Sequence, residues 1–359
     1  MLKHLKALCL PAFVAAASLF SLASCDKVIY DDEGDCSVSY KVKFRYDMNL
    51  KWADAFASEV SSVHLYAFDE NGRLARVYTE KGSCLAEADY AMTLDLPAGN
   101  YHLVAWCGLD NDREEESFLL PPTVAGRTMI DQVSNREDLK CSANRSRVYA
   151  AEPADRRLDF LFHGAADISL PEMEEGEHVD TLRLTKNTNH IRIFLQQLSG
   201  EDLDAGKFAF SIEDDNGLLA HNNDPLPDEV LTYKPWQQLT TSAGVGKVDA
   251  ANASIVYVNG AMADLTVSRL MESHRKDMKL TITNTEENKL VASVPIIDYA
   301  LLGKDYYEAA YKHTMTDQEF LDREDEYVMT FFLDESGEWS SASILIHSWR
   351  VVLQNVDIH

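Results

Sequence analysis

Basic side chains are scarce. In 359 residues, 33 Lys and Arg stand against 59 Asp and Glu, a formal charge of −26 at pH 7. Nucleic-acid binding needs clustered cations to neutralise phosphates, so this composition argues against it, and against a membrane docked through a basic patch. Long apolar runs are missing beyond the first twenty residues, so no later segment can span a bilayer as a helix. Six cysteines are too few to staple a chain of this length in place of a core. Catalytic signatures are absent too: no His-Glu-x-x-His, Gly-x-Ser-x-Gly, P-loop or Gly-x-Gly-x-x-Gly occurs. The eleven His are scattered singly, as hydrogen-bonded structural residues are. Asp110-Asn111-Asp112 opens like a calcium loop, but Glu115 stands where the sharp turn needs Gly. Neither a catalytic residue nor a metal ligand is expected. What remains is 46% hydrophobic, enough for one large core or two ordinary ones, and its 16 Gly, 10 Pro and 15 Tyr suit a turn-rich β protein.

The N-terminus carries a sorting signal. Lys3, His4 and Lys6 precede the apolar stretch Ala7 to Phe20, which is too short to span a bilayer stably. It ends in Ser21-Leu22-Ala23-Ser24-Cys25, which resembles a bacterial lipobox with cleavage between Ser24 and Cys25. Small residues let an extended chain enter a peptidase cleft, and a thiol can take a diacylglyceryl group. The alternative is an ordinary secretory signal with an incidental Cys. In the lipoprotein reading the mature chain has 335 residues and a charge of −28. Its only added groups are the diacylglycerol and N-acyl chain on Cys25, with no cofactor. Each buried methylene stabilises attachment by ~0.8 kcal/mol. Residues 25–36 follow as a tether, with Asp31-Asp32-Glu33-Gly34-Asp35 either a solvated linker or similar to the acidic signals of surface-exposed lipoproteins. Cys36, Cys84, Cys107 and Cys141 then remain as candidate disulfide partners, with three pairings open, or as free buried thiols.

Strand signals dominate the rest. Val38, Tyr40, Val42, Phe44 and Tyr46 alternate with polar Ser39, Lys41, Lys43, Arg45 and Asp47, one face apolar and one charged. A short helix is expected over 49–58. Strands are expected at 63–67 and 74–79 around Asp69-Glu70-Asn71-Gly72, then at 90–96 and at 101–107, with 157–163 closing the first half. In the second half the candidates are 181–186, 190–196, 207–213, 279–284, 290–295, 327–333, 343–347 and 349–356. Turns are expected at 214–217 and 334–337, and helices at 296–302 and 316–325, where Thr316 and Glu319 have capping-box spacing. The expected fold is all-β with a few short helices: two tandem antiparallel β-sandwiches, over 37–165 and 166–359.

Several pieces together carry a family resemblance. They are Leu184 to Arg192 (LTKNTNHIR), Gln196-Gln197-Leu198, Asp214 to Leu218 (DDNGL), Tyr233-Lys234-Pro235-Trp236, Arg269-Leu270-Met271, Asp317 to Tyr327, Phe331 to Asp334 and the terminal Ser348 to Val356 (SWRVVLQNV). In this order, with Cys25-Asp26-Lys27 and Pro97-Ala98-Gly99, the chain resembles the FimB-type fimbrillin-A-associated anchor proteins, the minor fimbrial lipoproteins of Bacteroidales. The resemblance implies transthyretin-like sandwiches and a type V pilus role. A subunit lipidated in the outer membrane and facing the cell surface would hold the base of a fimbrium, with fimbrial stalk or accessory subunits as partners joined by strand exchange. In strand exchange, backbone bonds give affinity and alternating side chains set register. Trp349, Val351, Leu353 and Val356 mark the candidate interface strand, either donated to a neighbour or closing its own sandwich. In stalk-type relatives a trypsin-like protease removes the first strand. Arg45, Arg73 and Arg76 all fall in expected strands, which favours an anchor. A surface glycan-binding lipoprotein, with Trp236 or Trp339 as a sugar platform, is the competing reading; a hydrolase has no residue constellation behind it.

Overall fold

The computed structural model describes residues 38–351 apart from 110–115, 121–122, 125–126, 129–132, 146–156, 200, 250–251, 335–336, 338 and 347–348. The sorting signal with Ser24 and Cys25, the tether, Cys36, the Asp110-Asn111-Asp112 loop, Leu353 and Val356 lie outside the described residues.

The first half runs β1 (Val38–Arg45), the one-turn helix α1 (Phe56–Glu59), β2 (Ser62–Asp69), β3 (Leu74–Lys81), β4 (Met92–Leu94), β5 (Gly99–Cys107), β6 (Phe118–Leu119), β7 (Thr123–Val124), β8 (Arg127–Thr128), β9 (Lys140–Ala143), β10 (Phe162–Leu170), β11 (Gly176–Arg183) and β12 (Thr185–Lys186). Two sheets face each other, β11-β1-β4 and β12-β10-β5-β2-β3. Between them lie Val42 and Phe44 of β1, Leu65 and Ala67 of β2, and Leu103 and Ala105 of β5. Each large side chain so buried contributes about 1.5–3 kcal/mol. The other faces of β2 and β5 present Tyr66, Phe68, Val104 and Trp106 to a second, larger core. Burial on both faces is why these two strands read as nearly unbroken apolar runs. The β2–β3 turn closes on Asp69, whose Oδ1 accepts from the backbone N–H of Asn71 and Arg73, both at 2.9 Å. Gly72 takes the positive φ, +74°, that this tight turn requires.

The second half runs β13 (Thr188–Gln197), β14 (Phe208–Asp214), β15 (Leu218–Ala220), β16 (Leu231–Tyr233), β17 (Gln237–Asp249), β18 (Asn252–Ser268), β19 (Lys279–Asn284), β20 (Lys289–Pro295), three helices α2 (Ile296–Leu301), α3 (Lys304–Tyr311) and α4 (Asp317–Arg323), then β21 (Glu326–Leu333), β22 (Trp339–Ile346) and β23 (Trp349–Val351). A six-stranded sheet, β17-β18-β13-β21-β22-β23, packs on a four-stranded one, β16-β14-β19-β20. Ile191, Ile193 and Leu195 of β13 meet Phe210, Ile212, Leu280 and Ile282 in the larger core. Thr316 caps α4 as its spacing with Glu319 suggests, its Oγ1 accepting from the Glu319 N–H at 3.0 Å.

The chain is mostly β with few short helices, as expected, but several particulars differ. A break between residues 165 and 166 would cut through β10, which pairs with β5 from Gly99 to Cys107; β11 pairs with β1, so the first sandwich takes strands as far as Lys186. The sheets are not wholly antiparallel: β1 runs parallel to β11, and β13 parallel to β21. Over 49–58 only the turn of α1 is helical, because Asn49 and Asp54 bond the nearby backbone instead. Residues 214–217 join different sheets rather than closing a hairpin, since β15 pairs with β9. Arg73 lies at the turn, bridging to Asn135, and not in a strand. Cys84, Cys107 and Cys141 are free thiols. Cys107 and Cys141 sit in different cores, and burial pushes both thiols well above their ordinary range.

Candidate functional site

Several of the pieces that carry the family resemblance converge where the two sandwiches meet. Strands β6 and β9 of the first half and β15 of the second form one small sheet, β15-β9-β6, across the join. Beside it Asn187 and Asn223 exchange side-chain amide bonds of 2.6 and 3.1 Å. Arg269 forks onto Asp322, 2.8 Å to each carboxylate oxygen, and donates to the Asn223 carbonyl at 2.6 Å. Asn216 donates to the Arg269 carbonyl at 3.0 Å and accepts from the Tyr233 hydroxyl at 2.6 Å. Every one of these groups is buried or nearly so, where an unpaired polar atom would be expensive, so the set is satisfied only as a unit.

A second group fastens the same join. Lys186, with 5% of its side chain exposed, reaches Glu59 of the first sandwich at 3.0 Å and Asp325 of the second, and lies 3.7 Å from the centre of the Phe160 ring. The Arg323 guanidinium stacks on Trp52 at 3.7 Å and donates to the Asp47 carbonyl at 3.2 Å, while the Leu50 N–H donates to the Arg323 carbonyl at 3.1 Å. The adjacent Glu324 is buried, and loss of solvent pushes its carboxyl up to about 7.

His190 and Arg192, of the same sequence motif, lock β13 to β18. Both bond Asp264: Arg192 through two contacts of 2.7 and 2.9 Å, His190 Nε2 at 3.0 Å. Burial alone would raise the Asp264 carboxyl, but the bonds from His190 and Arg192 outweigh it and hold the carboxyl low. His274 Nδ1 lies 3.0 and 3.1 Å from the two oxygens of Asp214 and 3.2 Å from Asp215. Among the described residues these three are the group of three or more His, Cys, Asp or Glu side chains whose possible ligand atoms all lie within 4.8 Å of one another; their short contacts satisfy one another, and the bond to Asp214 raises the His274 pKa.

The ends of the described chain lie in different settings. β1 sits inside its sheet, paired residue for residue with β11 over Val38 to Arg45 and with β4 over Tyr40 to Val42. Arg45 closes it, ion-paired to Asp47 at 2.9 Å. At the other end Trp349 and Val351 belong to β23, which pairs with β22 of its own chain (Ile346↔Trp349, Ile344↔Val351) and forms the edge of the six-stranded sheet. Trp339 packs on Tyr299 and Phe331, and the indole N–H groups of Trp236 and Trp339 are enclosed, so neither ring stands out as an open platform. No helix among the described residues is long and apolar enough to cross a membrane. Sequence reasoning missed β17 and β18, the two longest strands among the described residues.

Backbone ladders, paired amides and structural ion pairs define a scaffold of two bonded sandwiches. Over residues 32–355 the chain matches the family model described as fimbrillin-A associated anchor proteins Mfa1 and Mfa2, and it belongs to that family, one of fimbrial anchors and not of enzymes. The minor fimbrium anchoring subunit Mfa2 of Porphyromonas gingivalis is 28% identical over 199 residues, 53% of this chain and 55% of that protein, so the match spans about half of the curated relative. A candidate adhesin of Bacteroides thetaiotaomicron is similar in structure at 34% identity, with 88% of this chain and 97% of that chain covered and a TM-score of 0.75. A second protein of that organism, described as a candidate for polysaccharide binding, is 28% identical, with 89% and 99% covered and a TM-score of 0.70.

Proposed function

We propose that this chain is the envelope-held anchor or minor subunit of a fimbrium: a lipoprotein attached at Cys25 to the outer membrane, facing the cell surface, and joined to fimbrial stalk or accessory subunits by β-strand exchange or addition. The observation that carries this is the family match across both sandwiches. Mechanics supports it. A pull on a tether that enters at Val38 runs along β1, so the whole ladder to β11 is loaded together rather than bond by bond. The bonded join then passes the load to the second sandwich. β1 also supplies Tyr40, Val42 and Phe44 to its core, so a protein that lost it would expose that core; an anchor keeps both strand and lipid. At the far end β23 is, among the described residues, the outer strand of its sheet, the kind of edge to which a neighbouring strand can add.

The test is a deletion strain. It sheds fimbriae into the medium, and fimbriae that stayed cell-bound would sink the anchor role. Cys25→Ala releases a folded protein from membranes; its retention there would mean that lipid is not the attachment. The glycan reading gains nothing from Trp236 and Trp339, which are half-buried with their indole N–H groups enclosed.

A further inference from the structure

β18 is much longer than the strand it rests on. It pairs with β13 only from Ala261 to Ser268, yet its ladder with β17 continues for nine more pairs, from Thr241↔Gly260 to Asp249↔Asn252. At about 3.4 Å per residue this ribbon extends about 30 Å past the end of the sheet. Gly260 marks the departure: a Cβ there would lie 2.7 Å from the Leu195 carbonyl oxygen. Beyond it, among the described residues, the side of β18 that faced β13 has no strand against it.

Two-stranded ribbons are marginal in water, and natural edges are blunted by proline, charge or brevity. Residues 241–260 contain no proline and a single lysine, Lys247. At the root of the ribbon, where β13 stops at Gln197, a cleft of about 620 Å³ is lined by Asp202, Asp204, Glu286 and Glu287. Its lysine, Lys207, already pairs with Glu286 at 2.9 Å. The cleft is thus acidic, and Gln197 at the end of β13 and Thr240 at the root of the ribbon line it as well.

The geometry points to residues 252–260 of β18 as an acceptor edge for one extended, Lys- or Arg-bearing strand of the adjoining fimbrial subunit. That strand lies antiparallel to β18, in line with β13, with its cations over the acidic cleft. This rests on the reading of the chain as a fimbrial anchor, and places the junction at the ribbon rather than at β23.

The test uses the full chain and fimbriae sheared from the strain that encodes it. One variant replaces residues 244–257 by Asn-Gly, leaving the sandwich intact; a second is Glu286→Lys with Glu287→Lys. Shortening weakens capture of sheared fimbriae by about tenfold or more, and charge reversal weakens it less and flattens its salt dependence. Undiminished binding by the shortened chain, with the intact chain binding, overturns the ribbon site and leaves the anchor reading standing. Failure of the intact chain to bind fimbriae overturns both. A dimer of the intact chain that the shortened chain cannot form would make a second copy the occupant, and overturn the assignment to a fimbrial subunit.

Discussion

In the first sandwich the leading strand, β1, pairs in parallel with a strand 138 residues further on (Val38↔Gly176), and in the second the leading strand, β13, pairs in parallel with one 136 residues further on (His190↔Glu326). Each has an antiparallel strand on its other side, β4 for β1 and β18 for β13. There the likeness ends. β4 touches only Tyr40 to Val42, whereas β18 covers Thr188 to Leu195 and runs on into the ribbon. The charges differ too. Asp264, 0% exposed, ties β18 to β13 through Arg192 and His190, while the ion pair across β1 and β11, Lys41 with Glu177, is exposed. One strand plan thus serves two tasks. β1 needs only to be held along its length, and its backbone ladder does that. β18 is a lever fixed at one end, and the lock is placed at its root.

The largest effect that could break this comparison is expected at Asp264. In Asp264→Ala the Arg192 and His190 side chains lose their shared partner in a site with little water. A fully buried pair broken in this way costs about 3–5 kcal/mol; with Arg192 38% exposed, about 3 kcal/mol is expected. Urea unfolding measures it, and Asp264→Asn, which keeps one acceptor oxygen for Arg192, recovers part of the loss. An Asp264→Ala protein as stable as the parent would remove the lock from the account.

A somewhat smaller effect is expected at the join between the sandwiches. The Glu324 carboxyl is raised from 4.5 to about 7 by burial, so between those values the native chain holds a proton that the unfolded chain has released. Stability therefore falls as pH rises through that window, and below it the penalty vanishes. Glu324→Gln cannot ionise. It should be about 2 kcal/mol more stable than the parent at pH 8 and nearly level with it at pH 4.5. Equal gains at both pH values would show that Glu324 is not titrating in the join.

The legibility of the two sandwiches follows the same contrast. β1 is readable because every second residue is apolar, β19 for the same reason, and β21 because it is a nearly continuous apolar run; β19 and β21 fall within a residue of their expected limits. The ribbon is not readable, because Thr241 to Gly260 is rich in Ser, Ala, Gly and Asn and shows no apolar alternation. Gly164-Ala165-Ala166 likewise hid the middle of β10 and misplaced the sandwich boundary. The parallel partners were out of reach, since nothing in Val38 to Arg45 names a strand 138 residues away. For the site, the motif was visible but its roles were not. Asn216 read as a turn residue and Arg269 only as part of a motif, and only the fold brings Tyr233, Asn223 and Asp322 to them.

The smallest effect, at Glu177, decides how β1 is held. Lys41 and Glu177 reach each other diagonally across the parallel ladder with 32% and 49% of their side chains exposed. Water and salt screen such a pair, which typically contributes about 0–1 kcal/mol. Glu177→Ala should therefore change the unfolding free energy by under about 0.5 kcal/mol, with the difference shrinking further in high salt. A loss above about 1 kcal/mol would mean that β1 too is fastened by charge, and the contrast with β13 would fail. The expected indifference has a physical source. Val42 is 0% exposed and Phe44 stacks on Phe56 at 5.6 Å, so the strand's inner face is held by packing while its ladder to β11 is made of backbone groups that no side-chain substitution removes.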